Sequence, residues 1–144
     1  MFIGEYQHTI DEKGRLAIPV KFRKLLGKIA VVTKGLDDCL FLYTQKEFKK
    51  EVADKLAGLS FAKANNRALS RHMLAGAMDA EIDGQGRVMI PEYLRNFAKM
   101  KKNVVMAGLY NRIELWDEET WEKNKKNTES QSGNIAEALG GLGV

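Results

Sequence analysis

One cysteine, two prolines and two histidines are all that this chain of 144 residues holds of the residue types that make disulfides, rigid bends and most metal centres. With Cys39 alone no intrachain disulfide can form, and His8 and His72 are too few for a Cys/His zinc cluster. A reducing compartment follows. Apolar residues nowhere run long enough to span a bilayer, and the opening MFIGEYQHTIDEKG has no basic segment leading into an apolar one. The expectation is therefore a soluble cytoplasmic protein with no membrane partner. Catalytic signatures are missing too. No Gly-rich loop ends in Lys-Ser or Lys-Thr, no Gly-x-Ser-x-Gly elbow occurs, and the segment Asp83-Gly84-Gln85-Gly86-Arg87 lacks the acidic spacing of a calcium loop. Neither an enzyme nor a cofactor, a metal site or a small-molecule substrate is expected.

What remains is enough for one ordinary core, since 44% of the residues are hydrophobic, and the chain is mildly basic at a formal +4 with a sequence pI near 9.1. The charge is uneven. Lys and Arg are in excess over residues 1–72, whereas residues 73–144 are slightly acidic. Such a split suits a polyanionic partner, or halves that attract each other between subunits, and does not choose between them.

The chain is written twice. The segment Ile10-Asp11-Glu12-Lys13-Gly14-Arg15-Leu16-Ala17-Ile18-Pro19 returns as Ile82-Asp83-Gly84-Gln85-Gly86-Arg87-Val88-Met89-Ile90-Pro91. After one inserted residue, Val31-Val32, Gly35-Leu36, Leu42 and Tyr43 fall on Val104-Val105, Gly108-Leu109, Leu115 and Trp116, and Phe48 falls on Trp121. In each copy Asp opens a four-residue segment closed by Gly, which suits a type I turn between strands. Leu16 to Ile18 and Val88 to Ile90 are the returning strands, and Pro19 and Pro91 are expected in the first turn of short helices, VKFRKLL and EYLRNFA. Two further apolar runs follow in each copy, so each reads β-β-α-β-β, an α+β unit.

The linking segment is expected to be helical. Thr44 and Glu47 form a capping box, with Phe48, Val52, Leu56 and Leu59 on one face. Ser60 then caps a second helix carrying Phe61, Ala64, Ala68, Leu69 and Met73 up to Gly76. Asp117 takes the capping position in the second copy. The division expected is a first unit with its linking helix over 1–60, a connecting helix over 61–76, a second unit over 77–126, and a tail over 127–144. The tail is rich in Asn, Ser and Gly and is expected to be disordered.

The repeated turns set Asp11 beside Arg15 and Asp83 beside Arg87, with Lys13 and Gln85 at the tips. A carboxylate that steers a guanidinium spares part of the freedom Arg loses when it binds guanine or phosphate bidentately. Each pair can equally be a staple of its own hairpin, worth ~0 to 1 kcal/mol. Positive charge at Lys13, Lys21, Arg23 and Lys24 favours contact with a polyanion. Arg23, matched by Arg95, is counted among the candidate contacts, although both can be solvated helix charges, as Lys49, Lys50 and Lys55 are expected to be. Tyr43, Trp116, Phe48 and Trp121 are expected to pack in the core, and His8 and His72 occupy unrelated positions.

At these turns the chain resembles the MraZ family of bacterial transcription regulators, whose hallmark is two Asp-x-x-x-Arg motifs in tandem AbrB-like units. The opening Met-Phe-x-Gly, both Gly-Arg-x-x-Ile-Pro strand ends and the capped linker helices extend the likeness over roughly residues 1–123. The resemblance implies a duplicated double-split β-α-β, an AbrB-like swapped-hairpin barrel with flanking helices, in which one chain makes a pseudo-dimer. It also implies a homo-oligomeric ring that binds direct repeats of double-stranded DNA in the promoter of its own operon. The protein would repress the division and cell-wall gene cluster there, in the nucleoid-associated cytoplasm. Carried over position by position, Arg15 and Arg87 become base or phosphate contacts oriented by Asp11 and Asp83. Lys13 adds a phosphate contact, with Gln85 at the equivalent place. Two other readings stay open: an antitoxin-like assembly module whose hairpins serve subunit contact, and a small enzyme, which would need a pocket joining one of these Asp residues to His8 or His72.

Overall fold

The computed structural model describes residues 1–143. The first copy contains β1 (Phe2–Thr9), β2 (Arg15–Ala17), α1 (Val20–Leu26), β3 (Ile29–Lys34) and β4 (Leu40–Thr44). The second contains β5 (Met78–Glu81), β6 (Arg87–Met89), α5 (Glu92–Phe97), β7 (Asn103–Tyr110) and β8 (Ile113–Asp117). Between them lie α2 (Gln45–Phe48), a π turn (Lys49–Ala53), α3 (Asp54–Ala57), α4 (Ala64–Ser70) and a second π turn (Arg71–Ala75). The fold is mixed α+β with antiparallel sheets. Pro19 and Pro91 stand at the N-caps of α1 and α5, one step before the expected first turn, where their extended ψ angles of 139° and 155° turn each carbonyl onto the helix. Pro19 accepts from the backbone N–H of Phe22 and Arg23, and Pro91 from those of Leu94 and Arg95.

Six strands form one sheet in the order β1-β7-β8-β4-β3-β5, and β2 pairs with β6 in a two-stranded ribbon. The order is symmetric between the copies. β1 lies against β7 of the other copy, β5 against β3, and the halves join where β4 meets β8. Register corrects the sequence alignment. Thr9 pairs with Asn103 and its counterpart Glu81 pairs with Ile29, so Ala30 corresponds to Val104 and Val31 to Val105, one residue beyond the alignment of the Val-Val pairs. The β7 to β8 turn, closed by Leu109 N–H to Arg112 carbonyl, is one residue shorter than its counterpart, closed by Gly35 N–H to Cys39 carbonyl. This brings Leu42 and Leu115 back into correspondence. A slip of one residue exchanges the faces of a strand, so burial decides the true equivalence. Ala30, Val32, Val104 and Met106 share one core.

That core lies between the sheet and the layer made by the ribbon, α1 and α5. It is lined by twin positions: Leu16 and Val88, Ile18 and Ile90, Phe22 and Leu94, Leu26 and Ala98, each at most 3% exposed. The opposite face of the sheet carries a second cluster, in which Cys39, Phe41, Tyr43, Val105 and Trp116 meet Val52, Leu56 and Met73 of the linking helices, with Phe48 and Trp121 at its margin. The four aromatics expected in the core are therefore packed there. Thr44 caps α2 by accepting from the Glu47 N–H at 3.0 Å. The second linking helix departs from expectation, because the Ser60 hydroxyl accepts from the Ala62 N–H at 3.4 Å rather than capping a helix, and α4 begins at Ala64. Phe61 is 84% exposed, Ala64, Ala68 and Leu69 face outward, and Met73 alone of that set is buried. The buried Thr33 hydroxyl donates to the Met73 carbonyl at 2.6 Å and ties this helix to the sheet.

The segment from residue 127 is helical rather than disordered. The α6 helix runs Glu118–Ala138, with no buried residue. Asp117 caps it, accepting from the Glu119 N–H at 3.1 Å and the Lys101 N–H at 3.0 Å, and Glu118 and Glu119 complement the positive end of the helix. Asn, Ser and Gly lower helix propensity by up to about 1 kcal/mol each but do not stop a helix as proline does, and no proline intervenes. Val144, the last residue of the expected tail, lies outside the described residues.

Phe22→Ala is expected to lower the unfolding free energy by about 3–5 kcal/mol, whereas Phe61→Ala should stay within about 0.5 kcal/mol of wild type. Chemical denaturation checks this; equal effects would show that the two-copy core is not what holds the fold.

Candidate nucleic-acid interface

Each repeated turn is built by its aspartate. The Asp11 carbonyl accepts from the Gly14 N–H at 2.9 Å, the Arg15 carbonyl accepts from the Asp11 N–H at 3.1 Å, and Gly14 has a φ of 86°. This is a type I turn followed by a left-handed glycine. Asp11 Oδ1 accepts from the backbone N–H of Lys13 at 3.0 Å and of Arg15 at 2.9 Å, leaving Oδ2 to accept from Arg15 Nε at 2.6 Å. The second turn repeats the pattern. Asp83 Oδ1 accepts from Gln85 N at 2.8 Å and Arg87 N at 3.0 Å, and Oδ2 accepts from Arg87 Nε at 3.1 Å. The backbone N–H of Arg15, followed by the Arg15 side chain, holds the Asp11 carboxyl below its ordinary range. Asp83 is lowered likewise, first by the backbone N–H of Arg87.

The turns are braced across the copies. Ile18 N–H donates to the Gly86 carbonyl at 2.9 Å, and Ile90 N–H to the Gly14 carbonyl at 2.7 Å. Arg23 Nε donates to the Ile18 carbonyl at 2.6 Å, its half-buried guanidinium lying over Gly86, where a Cβ would collide with it. Arg95 mirrors it, donating to the Ile90 carbonyl at 2.9 Å and the Glu12 carbonyl at 3.4 Å beside Gly14. Both arginines thus support the other copy's turn. This role was hidden in the sequence, although the matching of Arg23 with Arg95 pointed toward a shared one.

Pairing of β2 with β6 puts Arg15 opposite Met89, Leu16 opposite Val88 and Ala17 opposite Arg87. Leu16 and Val88 are fully buried, so strand alternation turns Arg15, Ala17, Arg87 and Met89 to the outer face. Two guanidiniums from distant parts of the chain therefore share one exposed surface. The Arg15 and Arg87 side chains are 40% and 30% exposed, and Lys13 and Gln85 stand exposed at the tips. Beside the ribbon lies a concavity of about 570 Å³, bordered by both arginines, Met78, Met89, Asp79 and Glu81. Met89 carried no signal in the sequence beyond its place two residues after Arg87.

The remaining candidates are elsewhere. His72 Nε2 meets the Gly35 carbonyl at 2.8 Å and packs edge-on against Phe97, and His8 lies on β1 opposite Val104. Neither borders the concavity beside the Asp83 turn. Cys39 is buried, and that burial pushes its thiol pKa far up. Lys49, Lys50 and Lys55 make exposed ion pairs with Asp54 and Glu51. Among the described residues no group of three or more His, Cys, Asp or Glu side chains is placed to hold a metal ion.

The family described as "MraZ protein, putative antitoxin-like" matches residues 1–72 and again residues 73–140. The chain is 46% identical over 144 residues to a protein of Caldanaerobacter subterraneus subsp. tengcongensis named transcriptional regulator MraZ, covering 100% of both. Proteins of the same name from Thermoanaerobacter sp. (strain X514) and Moorella thermoacetica are 47% and 45% identical, the first over the full length of both chains and the second over 96% of each.

Because their folded-state pKa values are lowered, Asp11 and Asp83 stabilise the turns above the ordinary carboxylate value of 3.8 and release them as pH falls through the lower folded values. A carbon-detected NMR titration should find both carboxyls titrating below 3.8; midpoints at or above that value would mean that the turns do not hold these bonds in solution.

Proposed function

The chain belongs to the MraZ family, and on that premise we propose that it is a transcriptional regulator that binds double-stranded DNA with the outer face of its two-stranded ribbon. The observation that carries this reading is the placement of Arg15 and Arg87 on one exposed face of paired β2 and β6. A two-stranded β-ribbon fits the major groove, where the guanidinium fork matches guanine O6 and N7. Each aspartate engages Nε, so both terminal amino groups of its arginine are left out of that bond. Lys13 adds a phosphate contact. Gln85 gives the second turn a neutral hydrogen-bonding tip, and Arg23 contributes by holding that turn in shape.

In this reading the units 1–60 and 77–126, joined through 61–76, act as the halves of a pseudo-dimeric swapped-hairpin barrel. The exchanged pairings β1 with β7, β5 with β3 and β2 with β6 support it. Copies of the chain close into a ring, so that several ribbons meet successive direct repeats in the promoter of its own operon. There the protein represses the division and cell-wall gene cluster, on the nucleoid in the cytoplasm. Linking several weak sites raises effective concentration and multiplies affinity without new contacts. No helix is long and apolar enough to cross a membrane, among the described residues.

Affinity for the DNA upstream of its own gene, against scrambled DNA across a salt series, tests the reading. Arg15→Ala and Arg87→Ala should each lose about 1–3 kcal/mol of specific binding with the fold intact, and Lys13→Ala should flatten the salt slope by about one. Wild type that binds both DNAs equally weakly, with variants that change nothing, would make the turns staples and favour the assembly module. Single-box DNA is expected to bind far more weakly than multi-box DNA at the same salt; equal affinities would remove the ring from the proposal.

A further inference from the structure

The two halves of the ribbon are not equivalent. On its outer face Arg87 stands opposite Ala17, whereas Arg15 stands opposite Met89, the residue that corresponds to Ala17 in the second copy. Met89 is 62% exposed and belongs to neither hydrophobic cluster. An alanine there would serve the ribbon as well as Ala17 does, so packing gives no reason for a long apolar side chain beside two arginines. The neighbouring concavity extends the apolar surface through Met78, itself 44% exposed, and Pro91. Besides the two arginines and Asp83, which is bonded to Arg87, its charged residues are Asp79 and Glu81, and these acidic groups repel phosphate. The surroundings of Met89 therefore suit the apolar edge of a base rather than the DNA backbone.

In the major groove the apolar group that a base pair presents is the C5 methyl of thymine. We infer that Met89 is a specificity-determining residue that packs on a thymine methyl next to the base pair met by Arg15. The short Ala17 leaves the corresponding place beside Arg87 without such a contact. A flexible thioether follows such a surface without a fixed rotamer. The two halves then read different base pairs, which gives the bound DNA a direction that an exact two-fold ribbon would not give. The inference rests on the ribbon's proposed role in DNA binding.

The test replaces each thymine of the upstream DNA in turn by deoxyuridine, which removes only the C5 methyl. For wild type, one position per box should weaken binding about fourfold, the equivalent of the roughly 0.8 kcal/mol of one buried carbon group. Met89→Ala should bind thymine and uracil DNA equally at that position, with an unchanged salt slope and unchanged thermal unfolding. Met89→Leu should restore part of the preference. If wild type is indifferent to every replacement, or Met89→Ala keeps the same loss at the same position, the inference is overturned. Should that happen while Arg15→Ala and Arg87→Ala still weaken specific binding as expected, only the role of Met89 falls. If wild type does not prefer its upstream DNA to scrambled DNA, the ribbon's reading falls and this inference with it.

Discussion

Everything on the outer face depends on the pairing of two three-residue strands from different copies. Neither β2 nor β6 is long enough to persist alone, and an isolated two-stranded ribbon is marginal in water. What holds it is the burial of Leu16 and Val88 beneath it, together with the reciprocal hydrogen bonds from Ile18 to Gly86 and from Ile90 to Gly14. The glycines answer two demands at once. A left-handed φ closes each turn, and the close approach of the other copy leaves no room for a Cβ. Each turn is therefore built partly from residues of the opposite half.

Against that frame the Asp-Arg pairs matter through geometry rather than energy. The aspartates are exposed and the arginines only half-buried, and such surface pairs stabilise a protein by at most about 1 kcal/mol. Each aspartate, however, accepts two backbone N–H groups and one side-chain N–H, so the carboxylate is fixed to the turn before it meets the guanidinium. An arginine held at Nε gives up part of its rotamer freedom in advance. Less remains to be lost when a ligand engages the terminal nitrogens.

Local chemistry was legible in the sequence wherever it is set by near neighbours. The turns, the two proline-led helices, the Thr44 and Asp117 caps and the alternation of the strands all follow from residues within a few positions of one another. The duplication and the resemblance point to copies that meet at the matching turns, but pairing is a long-range event with no local trace, so the register that sets Arg15 and Arg87 on one face and the bracing by Arg23 and Arg95 emerge only from the fold. The register slip arose because two adjacent valines match in either frame, and only the face each valine buries tells them apart. The start of α4 was misplaced because Ser60 makes a local turn bond that resembles a cap. Composition alone points to disorder in the tail, because it weighs Asn, Ser and Gly without the cap that starts the helix ahead of them.

Divergence between the copies follows the same division between inside and outside. Facing the core, Leu16 and Val88, Ile18 and Ile90, and Phe22 and Leu94 all remain apolar, since a polar group there would be buried without a partner. On the outside, Glu12 has become Gly84, Lys13 is matched by Gln85 and Ala17 by Met89. A homodimer of one such unit would have to present identical halves, because a change in one is a change in both. Duplication within a chain removes that constraint. The interior keeps the two-fold exchange that the ribbon needs to exist, while the surface is free to give its two arginines different neighbours.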